Sequence, residues 1–239
     1  YCDPEGSGSE ALYVEKLLRL TSQFCYNGYT NLPASTGTPA RGRGYIQFAS
    51  FNQYQKFCDP VLRAWQEIME RVPQSRLLLK NNAYSKPGVV QSAYERLQRL
   101  GFDMSRVQFE CATRDYMLRY LDVDIALDTF PWPGGGTTCD ALYMGVPVVS
   151  YYTERHSTRF TYSLLANIGL SDLASTSLAD YVETAVALAG NLDLLDALHL
   201  ELRDRMKVSP VMDQERYIRE MEECYRAIWN AWESENTSL

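Results

Sequence analysis

Apolar runs of strand length alternate with helical segments through the middle of this chain, and that order most restricts its fold. Residues 45–50, 76–79, 107–110, 124–127 and 146–151 read as strands. The run at 76–79 is short and nearly all apolar, as a strand covered on both faces must be. Residues 60–71, 89–100, 114–121 and 138–144 read as the intervening helices. Asp59 is placed to cap the first, Pro60 suits its first turn, and Gly101 stops the second. Further helices are predicted at 159–168, 178–189, 192–206 and 213–232. A repeated strand-then-helix order implies an α/β fold, a Rossmann-like parallel sheet with helices on both faces. Such sheets bind ligands beyond the carboxyl ends of their strands, so the chemistry is expected in the loops after the strands.

Ahead of Tyr45 the pattern differs. Residues 9–20 read as a short amphipathic helix with Leu12, Val14, Leu17, Leu18 and Leu20 on its apolar side. Residues 27–44 are rich in Asn, Gly, Pro, Thr and Ser, which is loop or linker chemistry. The expected division is 1–42 as helix and linker, 43–208 as the Rossmann-like domain, and 209–239 as a terminal helix and tail.

A net charge of −7 argues against a general nucleic-acid-binding surface while leaving room for a local cationic pocket. No apolar run reaches the roughly 20 residues of a membrane span. The chain starts at Tyr1 without signal-peptide regions or an initiator Met, and so reads as a piece of a longer protein. Cys2, Cys25, Cys58, Cys111, Cys139 and Cys224 are scattered, with no C-x-x-C pair. That argues against a structural zinc site and fits a reducing cytoplasm. The sequon at 236–238 reads as chance in a frayed tail.

The loop after the strand at 124–127 says most about function. It runs Asp128-Thr129-Phe130-Pro131-Trp132-Pro133-Gly134-Gly135-Gly136-Thr137-Thr138-Cys139-Asp140. Its glycines let backbone approach a ligand, and the helix that follows aims free N–H groups and a positive dipole end into the same space. That makes a phosphate site, with Thr137 and Thr138 as extra donors and Asp140 as an acceptor for ribose hydroxyls. The other reading is a tight strand-to-helix turn with Thr137 as a mere cap. No Lys follows the glycines as in a Walker loop, and the spacing is not G-x-G-x-x-G.

Other loops carry two readings each. In Phe51-Asn52-Gln53-Tyr54-Gln55-Lys56, Lys56 either neutralises a diphosphate, with Asn52 and Gln53 hydrogen-bonding it, or is simply solvated. His156-Ser157-Thr158-Arg159 and Lys80 either face the same crevice or serve surface and ion-pair roles. Cys111-Ala112-Thr113, Arg119 and Tyr116 either contact a base or pack the domain. Asp122-Val123-Asp124 has metal-binding D-x-D spacing but reads as a helix end and strand start.

Taken in order, several segments resemble the C-terminal half of the protein O-GlcNAc transferase and SPINDLY-type family, bacterial members included. They are residues 12–17, Phe24-Cys25-Tyr26, 48–53, 72–80, 124–129, Ser209-Pro210 and the final helix through Trp229. The sharpest is Gly135-Gly136-Thr137-Thr138-Cys139-Asp140-Ala141-Leu142-Tyr143-Met144-Gly145-Val146-Pro147. The resemblance implies the donor-binding lobe of a GT-B glycosyltransferase. It implies Lys56 as the catalytic contact to the donor diphosphate, Gln53 beside it, and Gly135, Gly136, Thr137 and Thr138 at the phosphates. It further implies Asp140 at the ribose and Arg119 near the nucleoside. Tyr116 stands where animal members have a histidine, which leaves the base contacts open.

The resemblance implies an inverting, metal-independent transfer of a sugar, GlcNAc from UDP-GlcNAc, to protein Ser or Thr hydroxyls. No cofactor is expected beyond the UDP-sugar or GDP-sugar donor substrate. The expected partners are that donor, a protein acceptor, and an N-terminal lobe and helical repeats outside this sequence, without which the chain turns nothing over. The terminal helix, with Tyr217, Met221, Tyr225, Ile228 and Trp229 on one side, would pack on that lobe. The alternatives are a GDP-fucose-dependent protein O-fucosyltransferase, an inactive nucleotide-binding module, and a nucleotide-sugar epimerase.

Overall fold

β1 (Gln47–Ser50), β2 (Arg76–Lys80), β3 (Val107–Glu110), β4 (Ile125–Leu127), β5 (Val148–Tyr151) and β6 (Ala174–Ser175) form one parallel sheet, in the order β3-β2-β1-β4-β5-β6. The computed structural model describes residues 8–23 and 25–236; Cys2, Phe24 and the last two residues of the sequon lie outside them. Phe48 sits in register between Leu77 and Ile125, and Ala49 between Leu78 and Ala126. The central strands are buried almost throughout, which is why they read as continuous apolar runs. From β1 the chain builds outward to β3, then returns to lay β4 on the other side of β1. That reversal opens a crevice beyond the carboxyl ends of β1 and β4.

Eight α-helices accompany the sheet among the described residues: α1 (Ala40–Arg43), α2 (Asp59–Arg71), α3 (Pro87–Arg99), α4 (Gly136–Tyr143), α5 (Phe160–Asn167), α6 (Leu178–Gly190), α7 (Leu192–Lys207) and α8 (Gln214–Asn236). α2 buries Val61, Leu62, Trp65, Ile68 and Met69, one face at helical spacing. Asp59 does not cap it: Cys58 holds the extended cap position, and Asp59 lies in the first turn, paired with Arg96. α4 ends at Gly145, whose φ of 86° lets its N–H reach Leu142 O at 3.1 Å and that of Val146 reach Ala141 O at 2.8 Å. A Cβ there would also lie 2.6 Å from the carbonyl of His199. α3 and α5 close the same way, at Gly101-Phe102 and Gly169-Leu170, and each time an apolar residue follows the glycine back onto the core.

Two further sequence expectations change, and one strand has no counterpart among them. Residues 9–20 form only a 3₁₀ turn at Ser9–Leu12, because Leu12, Val14 and Leu18 are exposed and no core face receives the apolar stripe. The segment expected as a helix at 114–121 is a 3₁₀ helix, Tyr116–Asp122; Met117 and Tyr120, its buried residues, are three apart and suit that tighter period. β6 is two residues long, too short for any periodicity to announce it.

The 27–44 stretch has no regular element before Ala40, as its composition predicts, yet it is fixed to the domain. The fully buried Asp124 accepts from the Thr38 hydroxyl at 2.6 Å, the Ala40 N–H at 2.8 Å and the Gln47 N–H at 2.7 Å, and pairs with Arg43. Asp122 pairs with Arg119, so the D-x-D spacing is indeed a helix end and a strand start.

Below Asp124, His199 of α7 is buried with its Nε2 2.8 Å from the Asp124 carbonyl and its Nδ1 3.3 Å from the Ser35 hydroxyl. Burial pushes the imidazole pKa down, against the pull of Asp124. An unfolded histidine takes its proton near about pH 6.5, whereas this one takes it only at lower pH. The unfolded chain therefore binds more protons in that interval, and His199 makes stability fall as pH drops from about 7 to about 5. Urea melts across this range should flatten in His199→Gln; a variant curve parallel to the wild-type curve would count against this account.

Candidate functional site

A cleft of about 1030 Å³ opens beyond the carboxyl ends of β1, β2 and β3, with Gln53, Lys80, Thr113, Tyr116, Thr137 and Asp140 among its walls. One end is the start of α4. No side chain caps this helix, so the N–H groups of its first turn lack intrahelical acceptors and point outward. The glycine loop serves both readings, divided by residue. A Cβ on Gly134 would lie 2.3 Å from Thr138 Oγ1, so Gly134 is required by the turn itself. A Cβ on Gly136 would meet nothing within 4 Å; that glycine lies at an open, exposed approach.

The two threonines part in the same way. Thr138 is buried, its hydroxyl 3.0 Å from that of Thr161, which in turn donates to Gly134 O at 3.2 Å. Thr137 faces the cleft and donates to Asn52 Oδ1 at 3.1 Å.

Lys56 ends a 3₁₀ turn, Tyr54–Lys56, that follows β1. Its Nζ donates to Pro133 O at 2.7 Å and stands 3.5 Å from Asn52 Oδ1. Burial lowers its pKa, partly offset by Asp128. The lysine opens onto a second hollow of about 380 Å³ with Gln55, Trp132 and Phe160.

Asp128, at the end of β4, organises this corner. Its buried carboxylate accepts from Gly134 N–H at 2.7 Å, Thr129 N–H at 2.9 Å and the Ser150 hydroxyl at 2.7 Å. Burial pushes its pKa up, and the Thr161 and Ser150 hydroxyls with the Gly134 and Thr129 N–H groups pull it back. Asp140, one turn into α4, accepts from the Tyr26 hydroxyl at 2.7 Å and the Tyr116 hydroxyl at 2.8 Å.

The structure thus places Gln53, Thr137 and Asp140 in the cleft wall, Lys56 in the adjoining hollow and linked to Thr137 through Asn52 Oδ1, and exposed Gly136 at the start of α4, with Gly135 preceding the helix and Thr138 packed beneath. Arg119 is not in the cleft wall; it forks onto Glu110 at 2.9 Å and reaches Asp122 at 2.8 Å. Lys80 borders the cleft but is buried and committed to Glu110 at 3.2 Å and Cys111 O at 2.8 Å. His156 lies 3.0 Å from Gln23 Nε2 and packs edge-on against Tyr13 and Phe160.

Comparison with known proteins gives this geometry its context. The family model "Glycosyl transferase family 41" matches residues 40–221. The chain belongs to glycosyl transferase family 41. Within the family it is 36% identical over 224 residues to the SPINDLY protein of Solanum lycopersicum, covering 92% of this chain and 24% of that one. It is 30% identical over 192 residues to a Caenorhabditis elegans UDP-N-acetylglucosamine–peptide N-acetylglucosaminyltransferase, covering 79% of this chain and 16% of that one. Among solved structures, a mutant of the Thermobaculum terrenum O-GlcNAc transferase superposes with a TM-score of 0.81 at 31% identity, over 95% of this chain and 43% of that one. The family 41 chain thus has the α/β lobe of a GT-B glycosyltransferase, and it spans a quarter or less of these curated relatives' length.

Sequence reasoning singled out neither Asp128 nor Tyr26. Asp128 leaves a signal, an acid directly after a buried apolar run and before a glycine loop. Tyr26 falls in the resembling segment Phe24-Cys25-Tyr26, but its role leaves no signal, since it lies 114 residues from its partner.

Proposed function

We propose that this family 41 chain is the donor-binding lobe of an enzyme that moves N-acetylglucosamine from UDP-GlcNAc to Ser or Thr hydroxyls of proteins. One observation carries the reading: Thr137 and Asp140 line one cleft beside the uncapped start of α4, and Lys56, in the adjoining hollow, meets Thr137 at the shared Asn52 Oδ1, where strand order reverses between β1 and β4. The helix start and Lys56 supply positive charge for a diphosphate, and Asp140 supplies an acceptor for ribose. Gln53, Gly135 and Gly136 line the approach in this reading, and Thr138 fixes the turn. Arg119 acts only at a distance, by holding Glu110 and so Lys80 beside the nucleoside end.

As the glycosidic bond breaks with inversion, charge builds on the leaving diphosphate, and fixed donors at α4 together with Lys56 stabilise it without a metal. An acceptor-binding lobe and helical repeats outside this sequence complete the enzyme, and the isolated chain binds donor without turnover. α8 fits a surface for that lobe: it buries no residue, and Ile228 and Trp229 are exposed. In this reading residues 43–208 are the binding domain and 209–239 its tail. No helix of the described residues is long and apolar enough to cross a membrane. The five described cysteines are free, as a reducing cytoplasm keeps them, and a cytoplasmic setting is part of this reading.

Calorimetric titration of the chain with UDP and with GDP tests the proposal. UDP should bind and GDP should bind more weakly. Preference for GDP would replace the proposed donor, and binding of neither would remove the donor-site reading.

A further inference from the structure

Asp140 borders the cleft, but one of the two groups that fix it lies upstream of the family match at 40–221. We propose that Tyr26 is a positioning residue of the donor site: with Tyr116 it clamps the Asp140 carboxylate so that its remaining lone pairs face a ribose diol. The inference rests on the donor reading above.

The geometry is specific. Tyr26 holds Oδ1 at 2.7 Å and Tyr116 holds Oδ2 at 2.8 Å, one hydroxyl on each oxygen. A carboxylate has about four acceptor sites, which leaves about two for a ligand. Asp140 and Tyr116 line the cleft and Tyr26 does not, so Tyr26 grips the carboxylate from behind.

Tyr26 is itself fixed. Its N–H donates to Val211 O at 2.8 Å, and its ring lies edge-on to Tyr143 at 5.7 Å and to Tyr29 at 6.3 Å. Tyr143 donates to Tyr29 O at 2.8 Å, and the Tyr29 hydroxyl stands 3.3 Å from that of Tyr116. The upstream segment, the Tyr116–Asp122 turn and α4 therefore meet around one carboxylate.

The titratable groups around Asp140 are Tyr26 and Tyr29 from upstream, Tyr116 and Tyr120 from the turn, and Cys139 beside it on α4. No cation pairs with it among the described residues. Burial pushes the Asp140 pKa up, and the Tyr26 and Tyr116 hydroxyls pull it down. Without the Tyr26 hydroxyl the carboxylate is less firmly aimed and protonates at higher pH.

The test is calorimetry on the full chain with UDP and 2′-deoxy-UDP, between about pH 5 and about pH 8, for wild type, Tyr26→Phe, Tyr116→Phe and Tyr29→Phe. Wild type should prefer UDP by about tenfold, the worth of one hydrogen bond to a charged acceptor. Tyr26→Phe should lose most of that preference, and its UDP affinity should fall away at higher pH than the wild type's. Tyr116→Phe should lose it likewise, and Tyr29→Phe, whose hydroxyl does not touch Asp140, should keep it. Equal weakening of both nucleotides by Tyr26→Phe with an unmoved pH profile would overturn the inference and leave the donor reading standing. Equal binding of the two nucleotides by wild type would overturn the ribose contact. Binding of neither would overturn the donor reading and this inference with it.

Discussion

Lys56→Ala should weaken UDP binding by about 10- to 150-fold, because a hydrogen bond to a charged group is worth about 1.5–3 kcal/mol and about 1.4 kcal/mol is tenfold. The lysine sits half-buried between the glycine loop and β1, with Nζ held at 2.7 Å by Pro133 O. Burial disfavours its charge, and an arriving diphosphate favours it again. The fold should hardly notice: one backbone carbonyl loses a donor at a position water can reach. Thermal melting should therefore move by no more than about 4 °C, the effect of about 1 kcal/mol in a domain of this size. Lys56→Arg should restore affinity only in part, since a planar fork cannot reproduce a point charge held against Pro133. An unchanged UDP affinity in Lys56→Ala would show that the diphosphate binds elsewhere.

Asp128→Ala should act on stability first. Four donors, Gly134 N–H, Thr129 N–H, the Ser150 hydroxyl and the Asn52 amide at 3.4 Å, lose their acceptor within a space closed to water. An unsatisfied buried donor costs about 1–3 kcal/mol. Removing a carboxylate that burial itself disfavours offsets part of that, so a net loss of about 2–4 kcal/mol is expected. At about 2–4 °C per kcal/mol, melting should fall by about 4–16 °C. UDP binding should weaken as well, because Gly134 and Pro133 O lose the anchor that holds them against α4 and Lys56. Asp128→Asn keeps the volume and one acceptor oxygen, and should fall between wild type and the alanine variant. Melting of Asp128→Ala within about 2 °C of wild type would mean that the loop holds its shape without the carboxylate.

Much of the fold was legible because its signals are local. Buried parallel strands such as 76–79 must be apolar throughout, and a helix closed by glycine and an apolar residue marks its own end, as at Gly101, Gly145 and Gly169. The expectations that failed depend on surroundings. The stripe at 9–20 has helical spacing but no surface to bury it, and Asp59 sits beside a helix start without capping it. Of the proposed site residues, Lys56, Thr137 and Asp140 could be singled out in sequence because each follows a strand, opens a helix or lies one turn into it. Arg119 has the right neighbourhood in sequence, but Glu110 and Asp122 claim its guanidinium.

Periodicity and loop composition by themselves determined the α/β class, the order of most elements and the loops that line the candidate site. Those properties follow from constraints on neighbouring residues: burial of a strand on two faces, closure of a helix end, a loop without Cβ atoms. Tertiary structure decided which glycine serves the turn and which faces open space, which threonine is buried, and which carboxylate the loop hangs from. It also brought Tyr26 to Asp140. A hydroxyl and a carboxylate so far apart in the chain leave no pattern in sequence; their hydrogen bond exists only because the sheet order places α4, the Tyr116–Asp122 turn and the upstream segment at one corner.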